Sequence, residues 1–303
     1  SQFPAKLVLE LRSLTRKYYD LTDERSAHIN KLKGDLHTVF PQYLDVFCDV
    51  TGKTSTMILR QYGTPDKILR GHKKTMIEKI SKASRKGLAK ASERYEKLCA
   101  AANAAKTFGC QIDSIYFNIF LTLDLVEKLD SALDSILNRI RQLITFNKNE
   151  KFIQQIKLLN TIPGVGFLTA VTIMCEIGDF SAFRNPKQLF AYFGLDPEVN
   201  ESGKFVGTQL HMSKRGSRIA RRAIFAVALA SIRTKRNGEG INPYLRKYYE
   251  LKSGQKPKMV AIGAVMHKVC NIVFAVLRDE KAFELRSPEE HCKQYQRPAL
   301  AAA

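Results

Sequence analysis

One apolar stripe constrains this chain more than any other feature. Ile115, Ile119, Val126, Leu129, Leu133, Ile136, Ile140 and Leu143 follow spacings of four and three, and only Thr122 interrupts them. A strand has no use for that period, whereas a helix presents it as a continuous seam of roughly 50 Å. Such a seam faces another helix. A second stripe near the start, Leu7, Leu11, Leu14, Tyr18, Leu21 and Leu32, has the same character. Arg25 and His28 fill two of its seam places, where polar residues fix register. The pattern leaves the partner of the longer seam open: the first helix, a basic segment described below, or a second subunit. Because almost no segment is rich in alternating β-branched residues, the expected fold class is all-α.

The chain has 303 residues, enough for roughly two domains with real cores. Its 49 Lys and Arg against 29 Asp and Glu give a net charge of +20, which attracts polyanions, nucleic acid first among them. The six cysteines are scattered with no C-x-x-C pair, so neither a zinc site nor a disulfide framework is expected and a reducing compartment fits. No apolar run approaches the ~20 residues of a membrane span. The expectation is therefore no membrane and a cytoplasmic, nucleoid-associated location. The start "SQFPAKLVLELRS" lacks Met and the end reads "ALAAA", which suggests an excised fragment with residues left by cloning.

Local signals divide the chain. Phe40-Pro41 closes the first helix, since a proline ring cannot continue it. Gly52, Gly63 and Gly71 punctuate a looser region, in which Thr64-Pro65 reads as N-cap and N1 of a short helix. Residues 66–97 carry eleven Lys or Arg and four acids. They read as one long basic helix, either a solvated face or a phosphate-facing one. "FNKNEK" at 146–151 marks a boundary. The expected organisation is a helical, coiled-coil connector over 1–150 for assembly and nucleic-acid contact, a helical domain over 151–285, and a tail over 286–303 that is partly cloning-derived.

The second domain opens with "LLNTIPGVGFLTAVTIMCEIGDF", two apolar runs separated by Ile162-Pro163-Gly164-Val165-Gly166. That is the pattern of a helix-hairpin-helix. Pro163 stops the first helix, Gly164 and Gly166 permit tight backbone, and Val165 plugs the junction. Amides at the start of the next helix, with its dipole behind them, form an anion site that suits a DNA phosphate. The plainer reading is a tight turn without a ligand. Helix-hairpin-helix glycosylases share the element and need a downstream acid. Asp179 is the candidate, although its place after Gly178 looks like a cap.

Asn185-Pro186 then opens a helix that Gly194 ends. From Lys204 to Arg236 there are nine Lys or Arg and no acid. Lys214, Arg215, Arg218, Arg221 and Arg222 crowd a helix start, where cations sit badly with the dipole and suggest an external anion. Lys204 belongs to the same set. His211 lies near this run, while Met266 and His267 read as core residues of a later helix. Two serines stand out. Ser213 sits where an N-cap would be. Ser202 precedes Gly203 in an expected loop, where the surrounding cations would offset charge developing on a phosphodiester under attack.

Taken together, "LLNTIPGVGFLTAVTIMCEIGDFSAFRNPKQLFAYFGLDP", "ESGK", "MSKRGSRIARRAIF" and "KMVAIGAVMHKVCNIVFAVLRDEKAFE" closely resemble the C-terminal half of the Piv-type insertion-sequence transposases, the bridge-RNA-guided recombinases. The resemblance runs over 151–284. It implies that Ser202, the serine of the S-G pair after the G-L-x-P turn, is the nucleophile that becomes joined to DNA. It also implies an N-terminal RuvC-like domain whose D-E-D-D acids bind Mg2+. No such set is recognisable here, so no metal ligand is assigned within the chain and the fragment alone is expected to be inactive. DNA, a guide (bridge) RNA and a second copy, as a homodimer or higher homo-oligomer, are the implied partners. The rivals are a non-catalytic helix-hairpin-helix scaffold and a glycosylase using Asp179.

Overall fold

The computed structural model describes residues 6–108, 110, 112–148, 150–198, 201–202, 205–206, 211–287 and 289–290. It is all-α apart from one minimal β-hairpin. The chain divides into two compact units, one of residues 18–136 and one that joins residues 1–17 to 137–303. Two long helices, α1 (Lys6–Val39) and α7 (Asp113–Phe146), contribute to both.

Between them lie α2 (Tyr43–Val46), α3 (Lys53–Gln61), α4 (Pro65–Arg70), α5 (Lys73–Ser84) and α6 (Leu88–Phe108). Helix α1 stops at Val39 just before Pro41, as the proline requires. Thr64 caps α4 by accepting the amide of Lys67, with Pro65 at N1. The basic stretch 66–97 is not one helix but parts of three. Gly71 ends α4, and Arg85, in left-handed backbone at φ 53°, ends α5.

The unit of residues 18–136 has a core of Leu32, Leu36, Phe40, Tyr43, Ile58, Leu59, Ile68, Met76, Ile80 and Leu98. Ala101, Ala102 and Ala105 give α6 a flat, buried face against this core. Ile119 and Leu123 of α7 close it from the other side. Within this unit α1 and α7 run antiparallel. The Tyr116 hydroxyl donates to the Val39 carbonyl at 3.3 Å, and Arg25 pairs with Asp130 further along. Five residues of the α7 stripe, Ile119, Val126, Leu133, Ile140 and Leu143, are buried within the chain. A different face of α7, with Phe117, Leu121 and Leu125, stays exposed.

The second unit contains α8 (Lys151–Leu159), α9 (Phe167–Ile177), a 3-10 turn (Phe180–Ala182), α10 (Pro186–Tyr192), α11 (Arg218–Ser231), α12 (Pro243–Ser253) and α13 (Lys258–Asp279). Helix α9 is buried from Ala170 to Ile177 and packs on α8 and α11. Helix α13 packs on α8, α10, α11 and α12. It has 22 residues and is apolar enough to cross a membrane by length and composition, more than the sequence reading allowed. Over half of its apolar window is buried here, as in the central helix of a packed domain. Met266 is buried in the core, as expected, whereas His267, against the Phe190 ring at 4.8 Å, is only partly buried.

Candidate functional site

Helices α8 and α9 meet through Asn160–Gly166 in the tight turn that the sequence predicts. Ile162 and Val165 are buried in the junction. The two glycines serve different ends. Gly164 has φ +97°, and a Cβ there would stand 2.6 Å from the Ser231 hydroxyl. Ser231, at the end of α11, donates that hydroxyl to the Pro163 carbonyl at 3.0 Å. The bareness of Gly164 is thus accounted for inside the protein. Gly166 caps α9 with ordinary extended backbone and no side-chain hydrogen bond, and a Cβ on it would meet open space. Of the two glycines, Gly166 is the one with open space where a side chain would stand.

Past α9, Gly178 turns the chain and Asp179 caps the 3-10 turn. The Asp179 carboxylate accepts from the Ser181 amide at 2.9 Å and the Ser181 hydroxyl at 2.8 Å, which hold it below the usual carboxylate range. It is engaged as a cap, the role that its place after Gly178 suggests. Asn185 caps α10 by accepting the Gln188 amide, with Pro186 at N1.

Between Gly194 and Ser217 the described residues pair in antiparallel fashion, and this paired segment is termed the arm. At its base the Ser213 amide donates to the Asp196 carbonyl at 2.8 Å, and the Glu198 amide to the His211 carbonyl at 2.7 Å. Pro197 and Met212 pair between them. Further out, β1 (Glu201–Ser202) pairs with β2 (Phe205–Val206), Ser202 opposite Phe205. Ser202 therefore lies in a short strand paired with Phe205 rather than in an open loop. Gly203 and Lys204, between the two strands, fall outside the described residues.

The base of the arm is locked. Ser213 donates its hydroxyl to Asp196 Oδ1 at 2.6 Å. Gly194 and Gly216 cross so closely that a Cβ on Gly216 would lie 2.0 Å from the Tyr192 carbonyl oxygen. Arg221 Nη1 donates to the carbonyls of Phe193, Lys214 and Gly216, at 3.2, 3.1 and 2.6 Å. One guanidinium thus ties both strands of the base to α11. The expected N-cap at Ser213 is corrected. Ser217 caps α11 through the Ala220 amide, because Lys214 turns left-handed at φ 54° and delays the helix. Lys214, Arg215 and Arg218 are exposed. Arg218 and Arg222 each have interactions within the protein as well.

Two arginines escaped the sequence reading. Arg16 of α1 grips Glu176 of α9 with both Nε and Nη2 at 2.9 Å, and Arg12 Nε donates to the Cys175 carbonyl at 2.7 Å. Burial alone would raise the Glu176 carboxyl. Hydrogen bonds from Arg16 and Ser217, with the charge of Arg12, outweigh it and leave the carboxyl below its ordinary value. No local signal could have found this, since the partners are 160 residues apart. Among the described residues no group of three or more His, Cys, Asp or Glu that could hold a metal ion is found.

Residues 156–250, from α8 through the arm into α12, match the family model described as "Transposase IS116/IS110/IS902 family". The chain is 23% identical over 286 residues to the insertion element IS110 uncharacterized 43.6 kDa protein of Streptomyces coelicolor, covering 93% of this chain and 66% of that protein. The pilin gene-inverting protein of Moraxella bovis is 30% identical over 177 residues, covering 58% of this chain and 52% of its own length. The transposase for insertion sequence element IS1111A of Coxiella burnetii is 26% identical over 188 residues, 60% of this chain and 50% of that one. The chain spans between one half and two thirds of the length of these relatives.

Proposed function

We propose, from the match of residues 156–250 to the IS116/IS110/IS902 transposase family, that the chain is part of a DNA transposase or recombinase that cuts and rejoins DNA through Ser202. The observation that carries the reading is the arm. Ser202 lies in a short strand opposite Phe205, within a segment whose base is fixed by Asp196, Ser213 and Arg221. The surrounding sequence is cationic: nine Lys or Arg and no acid from Lys204 to Arg236. Such cations favour the charge that develops on a phosphodiester under attack.

In the proposed step the Ser202 oxygen bonds to phosphorus and one phosphorus–sugar oxygen bond breaks. The serine proton leaves the hydroxyl, and the released sugar oxygen takes up a proton. Attack by a sugar hydroxyl on the phosphoserine reverses the exchange and frees the enzyme. Magnesium chemistry belongs, in this reading, to a D-E-D-D domain outside these 303 residues, so the chain by itself does not cleave. A guide RNA and a second copy are further proposed partners, and the cell interior is the proposed location. Gly166 and the α9 amides, with Lys214 and Arg218, form the proposed phosphate-contacting face.

The test is binding and chemistry in parallel. The chain should bind duplex DNA and structured RNA with little sequence preference, and log affinity should fall by roughly 0.9 per neutralised B-DNA phosphate for each unit of log salt. With the D-E-D-D domain supplied, Ser202→Ala should abolish strand exchange while leaving this binding near wild type. Salt-insensitive binding, or exchange by Ser202→Ala, contradicts the reading.

A further inference from the structure

A cavity of about 520 Å³ opens in the unit of residues 1–17 and 137–303, beside the start of α11. Arg12 and Arg16 of α1, Glu176 of α9, Ala191 and Tyr192 of α10, and Arg215–Ser217 form its wall. Arg12, Arg16 and Arg215, from two segments distant in sequence, line it together with one carboxylate, Glu176. That carboxylate is already engaged: the Glu176 side chain is 2% exposed and both its oxygens accept from Arg16. It fixes Arg16 and leaves the cavity with a net excess of two positive charges. Arg215 is exposed and makes no ion pair with the described residues. Tyr192 is 47% exposed, and its hydroxyl donates to the Glu176 carbonyl at 3.1 Å, which holds the ring in the wall.

An arginine cluster beside a fixed aromatic ring suits a phosphate attached to a planar base. Guanidinium groups present paired donors to phosphate oxygens, and an exposed ring offers a face for stacking. The volume is in the range of small-ligand sites. We propose that this cavity takes one unpaired nucleotide of a nucleic-acid strand, its phosphate on Arg12, Arg16 and Arg215 and its base on Tyr192. The site deepens the nucleic-acid reading above and rests on it. It is separate from the Gly166 turn, and it adds two arginines and a tyrosine that no motif singles out.

The chain has no tryptophan, so Tyr192→Trp places a single indole fluorophore in the cavity wall. Titration of this variant with oligo(dT) and oligo(rU) should quench its emission, and the stronger of the two identifies DNA or RNA as the source of the nucleotide. An abasic sugar-phosphate oligomer should quench far less. In the chain with Tyr192 intact, anisotropy of a labelled oligo(dT) should show Arg215→Gln weakening binding several-fold and lowering the salt slope by about one contact. Arg215 is the arginine to change because Arg12 and Arg16 also hold α9. Strand binding that neither quenches the indole of the Tyr192→Trp variant nor responds to Arg215→Gln overturns the pocket and leaves the wider function standing. No strand binding by the wild-type chain overturns both.

Discussion

Ser213 donates its hydroxyl to Asp196 across the base of the arm that ends in Ser202. The bond spans 17 residues and is only 2.6 Å long, as expected when the acceptor is a carboxylate. It closes a strand pair that backbone bonds at Glu198 and Ser213 already align. The relationship gives Ser213 a mechanical role: it sets where the arm leaves the domain.

Ser213→Ala should therefore cost about 1 kcal/mol of stability, the worth of one part-buried hydrogen bond. It should lower strand exchange more than nucleic-acid binding. Ser213→Thr, which keeps the hydroxyl, should restore most of the exchange. Because the two residues act as a pair, Asp196→Ala combined with Ser213→Ala should be little worse than either alone. Additive losses in a double-mutant cycle would show that the residues work separately.

The two glycines of the α8–α9 turn should separate on substitution. Gly164→Ala places a Cβ against Ser231 and forces a side chain into left-handed backbone, costing roughly 1–3 kcal/mol. Gly166→Leu points into open space and should leave the melting temperature near wild type while weakening duplex binding several-fold. Thermal melting and anisotropy on the same samples check this. A Gly166→Leu chain that binds as wild type removes the turn from the phosphate-contacting face.

Glu176 gives the fold a pH signature. Its carboxyl is depressed when folded, so its contribution is complete above the ordinary range near pH ~4.3 and fades as pH falls through the lower folded value. Arg16→Met leaves the buried carboxylate without its main partner. With Arg16 about half exposed, we expect a loss of roughly 2 kcal/mol, below the ~3–5 typical of fully buried pairs. Without Arg16, burial raises the Glu176 carboxyl, so the loss should be full at neutral pH and shrink as pH falls and the carboxyl takes up its proton. A loss that does not change with pH would show that Arg16 does not support Glu176 in solution.

Assembly is the fourth prediction. Five residues of the α7 stripe are already buried within the single chain, so the stripe does not itself call for a second copy. Phe117, Leu121 and Leu125 on the remaining face repeat every four residues and are exposed. We expect a dimer through that face by light scattering, and a monomer of unchanged helicity for Leu121→Lys with Leu125→Lys. A wild-type monomer well above micromolar concentration removes the dimer from the account.

Much of this was legible where chemistry is local. Thr64-Pro65 and Asn185-Pro186 each combine a side-chain acceptor with a ring that needs no amide, and each opens a helix. Asp179 after Gly178 reads as a cap in the same way. What the sequence concealed depends on distance or on competing local choices. A heptad carries no label for its partner, so the sequence leaves open what buries the α7 stripe. Arg85 ends α5 in left-handed backbone without being glycine, which hid the break in the basic stretch. The run from Ser213 to Ser217 offers two serines as caps, and the crossing of Gly216 with Tyr192 decides for the second. The Arg12–Arg16 cavity joins segments far apart in sequence, and only folding brings them together.

The central claim is that Ser202 forms a covalent bond to DNA. The most direct measurement supplies the D-E-D-D domain, incubates the protein with labelled substrate, and separates products on a denaturing gel. Mass spectrometry of the retained adduct then locates the linkage. The account predicts a protein–DNA band whose phosphate maps to Ser202, absent from Ser202→Ala and still formed, at reduced yield, by Ser213→Ala. An adduct that persists in Ser202→Ala, or maps to Ser213 or a tyrosine, would contradict it.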